Sequence, residues 1–226
     1  MKLGVLFSSG KDSCYATYLM KKKHEISCLI TIKSKNPDSF MFHTANIDIT
    51  KLQAKSMQIP LITQITKGKK EEELKDLEKA IKKAIKKYKI QGIVTGALFS
   101  NYQKQRIEKI AKKLDLKTFS PLWHKDQEKE LKEIINNKFE IIFSQIAGEG
   151  LDPSWLKRKI TNKDIENLKK INKKNKINIA GEGGEYESLV LDCPLFKKKI
   201  KILKSKIIID SPYSAKLIIT KAKLID

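Results

Sequence analysis

The sequence predicts an open α/β sheet of parallel strands followed by a smaller α+β domain. Three observations carry that reading. From Leu3 to Leu114, strand-length apolar runs alternate with helix-period segments, the pattern of parallel strands joined by crossover helices. The first run, Leu3-Gly4-Val5-Leu6-Phe7, has no polar side chain, as a strand covered on both faces requires. Beyond Gly181 the pattern turns into a succession of short strands. This change of character places a boundary near Pro121 to Lys125, giving domains 1–124 and 125–226.

The elements follow in order. The strand Leu3–Phe7 runs into a small-residue turn, Ser8 to Ser13, and Ala16, Leu19 and Met20 give Cys14–Lys23 a helical period. Ile26–Ile32 is the second strand, ended by a polar loop from Lys33 to Ser39 with Pro37-Asp38 at its turn. A helix over Ile49–Met57 is stopped by Pro60, and Leu61–Ile65 alternates as a strand. Glu71–Lys87 is an amphipathic helix with Leu74, Leu77, Ile81, Ile85 and Tyr88 on one face. Its acidic start, Glu71 to Glu73, and basic end, Lys86-Lys87, suit the helix dipole. Gly92–Gly96 is a short strand and Asn101–Leu114 a helix. The second domain reads as helix Glu128–Asn137, strand Phe139–Ser144, loop Gly148–Pro153 and helix Asn162–Lys170. Strands Glu187–Leu191, Lys199–Leu203, Lys206–Ile209 and Lys216–Lys223 complete it.

Composition narrows the function classes. The 226 residues are 40% hydrophobic and 32% charged, an ordinary balance for a globular protein with a substantial core. No apolar run reaches the roughly 18 residues of a membrane span. The N-terminal strand is too short to be a secretion signal, so a cytoplasmic location is expected. Cys14, Cys28 and Cys193 lie far apart without metal-ligand or redox spacing, and are expected to be packing residues. The net charge of +21 suits nucleotide phosphates, an acidic protein or nucleic acid. Its lysines are spread along the chain without interleaved aromatic stacking platforms, so direct nucleic-acid recognition is not expected.

The turn Ser8-Ser9-Gly10-Lys11-Asp12-Ser13 is the strongest chemical signal. A strand feeding a small-residue turn and then a helix converges backbone N–H groups and a helix N-terminus on one point, which is an anion site. Gly10 permits close backbone approach, Lys11 adds a positive charge, and Ser8, Ser9 and Ser13 add hydroxyls. Asp12 opposes phosphate unless it ligates Mg²⁺. A Walker loop is excluded: the pattern needs glycine where Val5 stands and Ser or Thr where Asp12 stands. The plain alternative is a β–α turn whose Asp12 and Ser13 cap the helix.

This turn resembles the S-G-G-x-D-S loop of the PP-loop ATP-pyrophosphatase superfamily, with Ser9 where that motif has its first glycine. The resemblance implies an adenine nucleotide alpha hydrolase-like sheet and cleavage of ATP between its α and β phosphates. Further blocks resemble one branch, the diphthine–ammonia ligases, and most of all its short archaeal-type members. They are Met41-Phe42-His43-Thr44, Gly96-Ala97-Leu98, Asn101-Tyr102-Gln103-Lys104-Gln105-Arg106-Ile107-Glu108, Pro121-Leu122-Trp123, Gly150-Leu151-Asp152 and Gly181-Glu182-Gly183-Gly184-Glu185-Tyr186-Glu187. That branch implies ATP-dependent amidation of diphthine, a modified histidine of elongation factor 2, with ammonium as the nitrogen source and AMP and pyrophosphate as products.

The expected site follows. Ser8, Ser9, Gly10, Lys11, Asp12, Ser13, His43, Gly96 and Arg106 are expected to hold ATP, with Asp12 on Mg²⁺. Arg106 has a planar fork suited to phosphate, and its plain alternative is a surface cation paired with a nearby glutamate. His43 is expected at adenine or ribose, against the alternative of a structural hydrogen bonder. Lys11, Asp12, Glu182 and Glu185 are the expected catalytic groups, because clustered carboxylates suit a site that accepts NH₄⁺ and removes its proton. Tyr102, Gln103, Trp123, Gly183, Gly184, Tyr186 and Glu187 are expected to shape the substrate pocket, although a core role suits Trp123 equally and a solvated turn is the alternative for the whole glycine-rich block. The first domain is then the ATP domain and the second binds the substrate factor. Two other readings stay open. One is a tRNA-modifying PP-loop enzyme, a thiolase or lysidine ligase, favoured by charge but lacking the Cys-x-x-Cys pairs common in thiolases. The other is a non-catalytic ATP-binding module.

Overall fold

Five strands build the first sheet: β1 (Lys2–Leu6), β2 (Glu25–Ser34), β3 (Leu61–Thr66), β4 (Gly92–Val94) and β5 (Lys117–Phe119). They lie in the order β3-β2-β1-β4-β5, and every pair is parallel. The central β1 buries Leu3, Gly4 and Val5, which explains its unbroken apolar run. The edge strand β3 alternates exposed and half-buried positions, with Ile65 in solvent. The computed structural model describes residues 1–36, 46–69 and 71–226, in two compact units, Met1–Trp123 and His124–Asp226.

Helices α1 (Lys11–Lys21), α2 (Ile49–Met57), α3 (Glu72–Tyr88) and α4 (Asn101–Lys113) connect these strands. The apolar stripe of α3 buries Leu77, Ala80, Ile81 and Ala84 against Cys28, Ile30 and Ile32 of β2 and Ile93 of β4, and Ile107 and Ile110 of α4 join the same cluster. A Leu77→Ala cavity there costs about 2–5 kcal/mol. The order 3-2-1-4-5 reverses direction between β1 and β4. In open α/β sheets that switch point leaves a crevice beyond the C-terminal strand ends. The turn Ser8 to Ser13 leaves β1 at that point, and the segment with Thr95 and Gly96 leaves β4 beside it.

The second unit holds helices α5 (Gln127–Asn136) and α6 (Asn162–Asn175) and strands β6 (Glu140–Ala147), β7 (Tyr186–Asp192), β8 (Lys199–Ser211) and β9 (Ser214–Ile225). Its sheet has the order β7-β6-β9-β8 and is antiparallel throughout. A single 3-10 turn covers Pro153–Trp155.

Three elements differ from the sequence reading. No strand is read at β5 in the sequence; three residues are too few to show a period, and its identity comes from pairing with β4. The strands expected at Lys199–Leu203 and Lys206–Ile209 are one strand, β8, because register shifts around Lys204 let the ladder with β9 continue through the break in alternation. Helix α1 begins at Lys11, three residues ahead of Cys14, so Lys11, Asp12 and Ser13 of the turn already belong to the helix.

Candidate active site

The turn after β1 runs directly into α1. Gly10 is the N-cap residue of α1 and, among the described residues, no side-chain cap is formed, so Asp12 and Ser13 do not form the local cap of the plain β–α alternative. Uncapped first-turn N–H groups and the helix dipole favour an anion there. Lys11 is 1% exposed, and its Nζ lies 2.5 Å from Asp12 Oδ1. A lysine so buried adds concentrated positive charge beside those N–H groups. Ser13 Oγ accepts from Ser8 N at 3.3 Å, lies 3.3 Å from Ser8 Oγ and donates to Gly10 O at 3.2 Å, closing the turn on itself.

Ser9 takes φ +76° and is 3% exposed. This left-handed conformation costs a residue with a side chain about 1–2 kcal/mol, which explains why a glycine suits the position. Its carbonyl accepts from Gln53 Nε2 of α2 at 3.0 Å. Gln53 is fully buried, and no motif in the sequence marked it. The one available signal was a polar side chain inside the helix Ile49–Met57 with no local role.

Gly96 completes this crevice. A Cβ at Gly96 would meet Asp12 C and Ser13 N at 2.8 Å, so the segment after β4 lies backbone against backbone on the first turn of α1. Thr95 Oγ1 accepts from Ala97 N at 3.0 Å and holds that segment in place. Arg106 is tied elsewhere: its Nη2 and Nε donate to Glu71 Oε1 at 2.7 and 3.2 Å, and its Cζ stacks 3.4 Å from the Tyr102 ring centre. The Tyr102 hydroxyl donates to the same carboxylate oxygen at 3.3 Å, and desolvation leads the causes that raise its phenol pKa. Gln103 N donates to Ser100 Oγ, the N-cap of α4, at 3.3 Å. Trp123 is half-buried, with Lys104 Nζ 4.2 Å from its ring centre. His43 and its neighbours Met41, Phe42 and Thr44 lie outside the described residues.

The second unit carries the block Gly181 to Glu187. Gly181 and Gly184 take φ +77° and +87°, and Gly184 N donates to Gly181 O at 3.2 Å, forming a tight turn. Glu185 turns its carboxylate back into that turn. Oε1 accepts from Asn178 N at 2.7 Å and Oε2 from Gly183 N at 2.8 Å. Tyr186 is 3% exposed; its hydroxyl donates to Ile179 O at 2.8 Å and its ring packs edge-on against Phe143. Glu187 is half-buried in β7 opposite Gln145. Glu182 stands between the turn's glycines, half-exposed, and its backbone N donates to Asn178 Oδ1 at 3.2 Å. Gly183 is exposed at the tip. Among the described residues no group of three or more His, Cys, Asp or Glu side chains is arranged to hold a metal, and no helix is long and apolar enough to cross a membrane. Burial pushes the Cys28 and Cys193 thiols up to about 12, which makes them inert packing groups.

A parallel 3-2-1-4-5 sheet with a lysine-bearing turn at its switch point defines an α/β fold whose ligand crevice lies at that turn. The diphthamide synthase N-terminal domain matches residues 1–118 and the diphthamide synthase C-terminal domain matches residues 126–225. The chain belongs to the diphthamide synthase family. A rat (Rattus norvegicus) protein named diphthine–ammonia ligase is 34% identical over 93% of this chain and 86% of its own length. The human (Homo sapiens) protein of that name is 33% identical over the same shares. That of Schizosaccharomyces pombe is 33% identical over 92% of this chain but only 37% of its own length. A solved structure described as a predicted subunit of tRNA methyltransferase from Methanocaldococcus jannaschii aligns with 86% of this chain and 98% of its own, at 17% identity and TM-score 0.43, a likeness too distant to carry an argument.

Proposed function

We propose that this chain is an ATP-dependent ligase that amidates the diphthine carboxylate of elongation factor 2 to diphthamide, with ammonia as nitrogen donor. Family membership extending through both units carries the reading; a shared nucleotide fold alone would reach only the first. It also favours this reading over a tRNA thiolase or lysidine ligase.

A carboxylate is a poor electrophile because its leaving group is oxide. In the first step a diphthine carboxylate oxygen attacks the α-phosphorus of ATP and pyrophosphate leaves, giving an acyl adenylate. In the second, ammonia attacks the acyl carbon, AMP leaves with the C–O bond electrons, and a C–N bond forms. We assign the phosphates to the first unit: backbone N–H groups of Ser9 to Ser13, the Ser8 and Ser13 hydroxyls, and the Lys11 ammonium stabilise the charge that develops on pyrophosphate. Gly96 is assigned to the same crevice and His43 to the nucleoside. Asp12 is one carboxylate beside a phosphate cradle, which fits Mg²⁺, an ion that takes one or two carboxylates with substrate phosphates and waters. When bound, Mg²⁺ neutralises phosphate charge.

In the second unit, Glu182 is the carboxylate assigned to ammonium, taking the proton that NH₄⁺ must lose. Glu185, with both oxygens on backbone N–H groups, shapes the loop on which Glu182, Gly183 and Gly184 are presented. Tyr102, Gln103 and Trp123 of the first unit are assigned to substrate, with Arg106 acting through Tyr102 and Glu71, and in the second unit Tyr186 and Glu187 are assigned to it. The second unit engages elongation factor 2, where the +21 charge draws an acidic surface. The three cysteines, none in a disulfide, suit a reducing cytoplasm.

The test is incubation with ATP, Mg²⁺, ammonium and diphthine-bearing elongation factor 2, following AMP and pyrophosphate. AMP formation that needs both the factor and ammonium supports the ligase. Activity with tRNA alone sinks it, as does ATP binding without turnover.

A further inference from the structure

We infer that Gln53 is a positioning residue for ATP: it holds the phosphate turn in its working conformation by anchoring the Ser9 carbonyl. The inference rests on the ATP reading of the turn and adds a residue to it.

Ser9 and Gly10 share one peptide plane. In a trans peptide the carbonyl and the following N–H point in opposite directions. Gln53 Nε2 binds Ser9 O at 3.0 Å, and Gln53 is fully buried. The amide is thereby fixed to α2, and the Gly10 N–H is directed away from it. Rotation about the Ser9 N–Cα bond swings this whole peptide, so a relaxation of Ser9 φ would carry the carbonyl off Gln53 and turn the Gly10 N–H out of the anion site. Two features make that rotation a real hazard here. Ser9 sits at φ +76°, a conformation its Cβ disfavours. Gly10, the next residue, offers no resistance of its own to rotation. Cys14 Sγ also approaches Ser9 O, at 4.0 Å, but a thiol is a weak donor at the limit of hydrogen-bond distance. The side-chain amide of Gln53 is the strong donor holding the strained peptide in place.

This makes Gln53 and Ser9 energetically coupled in a defined direction. Without the anchor, a serine at position 9 relaxes to negative φ and the competent turn becomes a minor state; apparent affinity falls by that fraction. A glycine at position 9 has no such bias, so losing the anchor leaves the two states near balance.

The experiment measures equilibrium binding of a ribose-labelled fluorescent ATP analogue with Mg²⁺ to the full chain, with thermal unfolding followed in parallel. Gln53→Met keeps the length and bulk of the side chain and removes the donor; Gln53→Asn retracts the amide out of reach and serves if the first variant is unstable. Either substitution is expected to weaken binding about tenfold in the Ser9 protein but only about twofold in the Ser9→Gly background. Unchanged affinity in the Ser9 protein overturns the inference. An equal loss in both backgrounds, tracking the melting temperature, does so too, since it marks a packing role. If the unmodified protein does not bind the analogue at all, the ATP reading itself fails, a result recognisable without any variant.

Discussion

The turn after β1 and the turn before β7 both place residues at positive φ, Ser9 at +76° in one and Gly181 and Gly184 at +77° and +87° in the other. Both also gather backbone N–H groups. They differ in what those groups meet. In the first turn α1 has no side-chain cap, and Lys11 is buried beside it. In the second, the Glu185 carboxylate fills the turn from within, one oxygen on Asn178 N and the other on Gly183 N. The first turn is thus prepared for an anion from outside, and the second carries its own. Similar backbone geometry therefore goes with a buried cation in one unit and with a carboxylate bound inside the turn in the other, and the proposed roles rest on that contrast.

The largest effect expected from this contrast is at Lys11. Lys11→Met keeps the bulk of a buried side chain and removes its charge, and should lower the rate of AMP formation about a thousandfold. Circular dichroism should stay native. A variant within tenfold of the native rate would show that the first turn does not depend on its buried cation.

Next come the two glutamates of the second turn. Glu185→Gln keeps the shape but presents one carbonyl oxygen to two N–H donors, so one donor faces an NH₂ group. Denaturant unfolding should report a loss of about 1–3 kcal/mol. Glu182→Gln should leave stability within about 0.5 kcal/mol of native, while lowering kcat/KM for ammonium about a hundredfold. The reverse pattern, a stability loss at Glu182 and a kinetic loss at Glu185, would exchange the two roles.

Much of this was legible in the sequence because local chemistry carried it. The unbroken run Leu3 to Phe7 marked a doubly covered strand, and the period of Leu74, Leu77, Ile81 and Ile85 marked the helix α3 that packs on the sheet. The phosphate turn stood out by residue type alone. What stayed hidden was set by contacts distant in sequence. β5 is a strand because β4 pairs with it, and Gln53 meets Ser9 across 44 positions. Arg106 read either as a phosphate fork or as a cation paired with a nearby glutamate, and the pair it makes is with Glu71, 35 residues away, which no spacing rule joins. Glu182 and Glu185 looked alike in the sequence. Only the turn's geometry separates the inward Glu185 from Glu182.

Two glycine substitutions sharpen the comparison further. At Gly96 an added Cβ meets backbone, Asp12 C and Ser13 N at 2.8 Å, and neither can move without shifting α1. Gly96→Ala should cost about 1–3 kcal/mol of stability and weaken ATP binding with it. At Gly183 the nearest atom is Glu185 Oε1 at 2.7 Å, on a carboxylate that can move aside only by giving up its hydrogen bonds to Asn178 N and Gly183 N. Gly183→Ala should therefore cost about 1–3 kcal/mol of stability, but ATP binding should not change. An equal loss of ATP binding at both positions would remove the distinction between a backbone cradle and a side-chain-filled turn.

The smallest effect concerns what supports the second turn. Gln127, the first residue of α5, accepts from Ile179 N at 2.8 Å and Ala180 N at 3.3 Å, just ahead of Gly181. Its neighbour Glu128 joins α5 to α6 by accepting from Lys132 and Lys169 at 2.6 and 3.0 Å. Those two hydrogen bonds, Lys132 first, hold the Glu128 carboxyl below its ordinary value. A carboxyl whose pKa is lower in the folded chain contributes stability above its unfolded value, near 4.3, and loses it as pH falls through the folded value. Lys169 is shifted upward by the same partner, so its contribution is lost only in strongly alkaline solution. Both carboxylate and cations are solvent-screened, which keeps the effect small. Urea unfolding of the native chain and Glu128→Gln should differ slightly at pH 7 and converge in acid. A gap that persisted at pH 3 would assign the effect to packing at the α5–α6 contact rather than to charge.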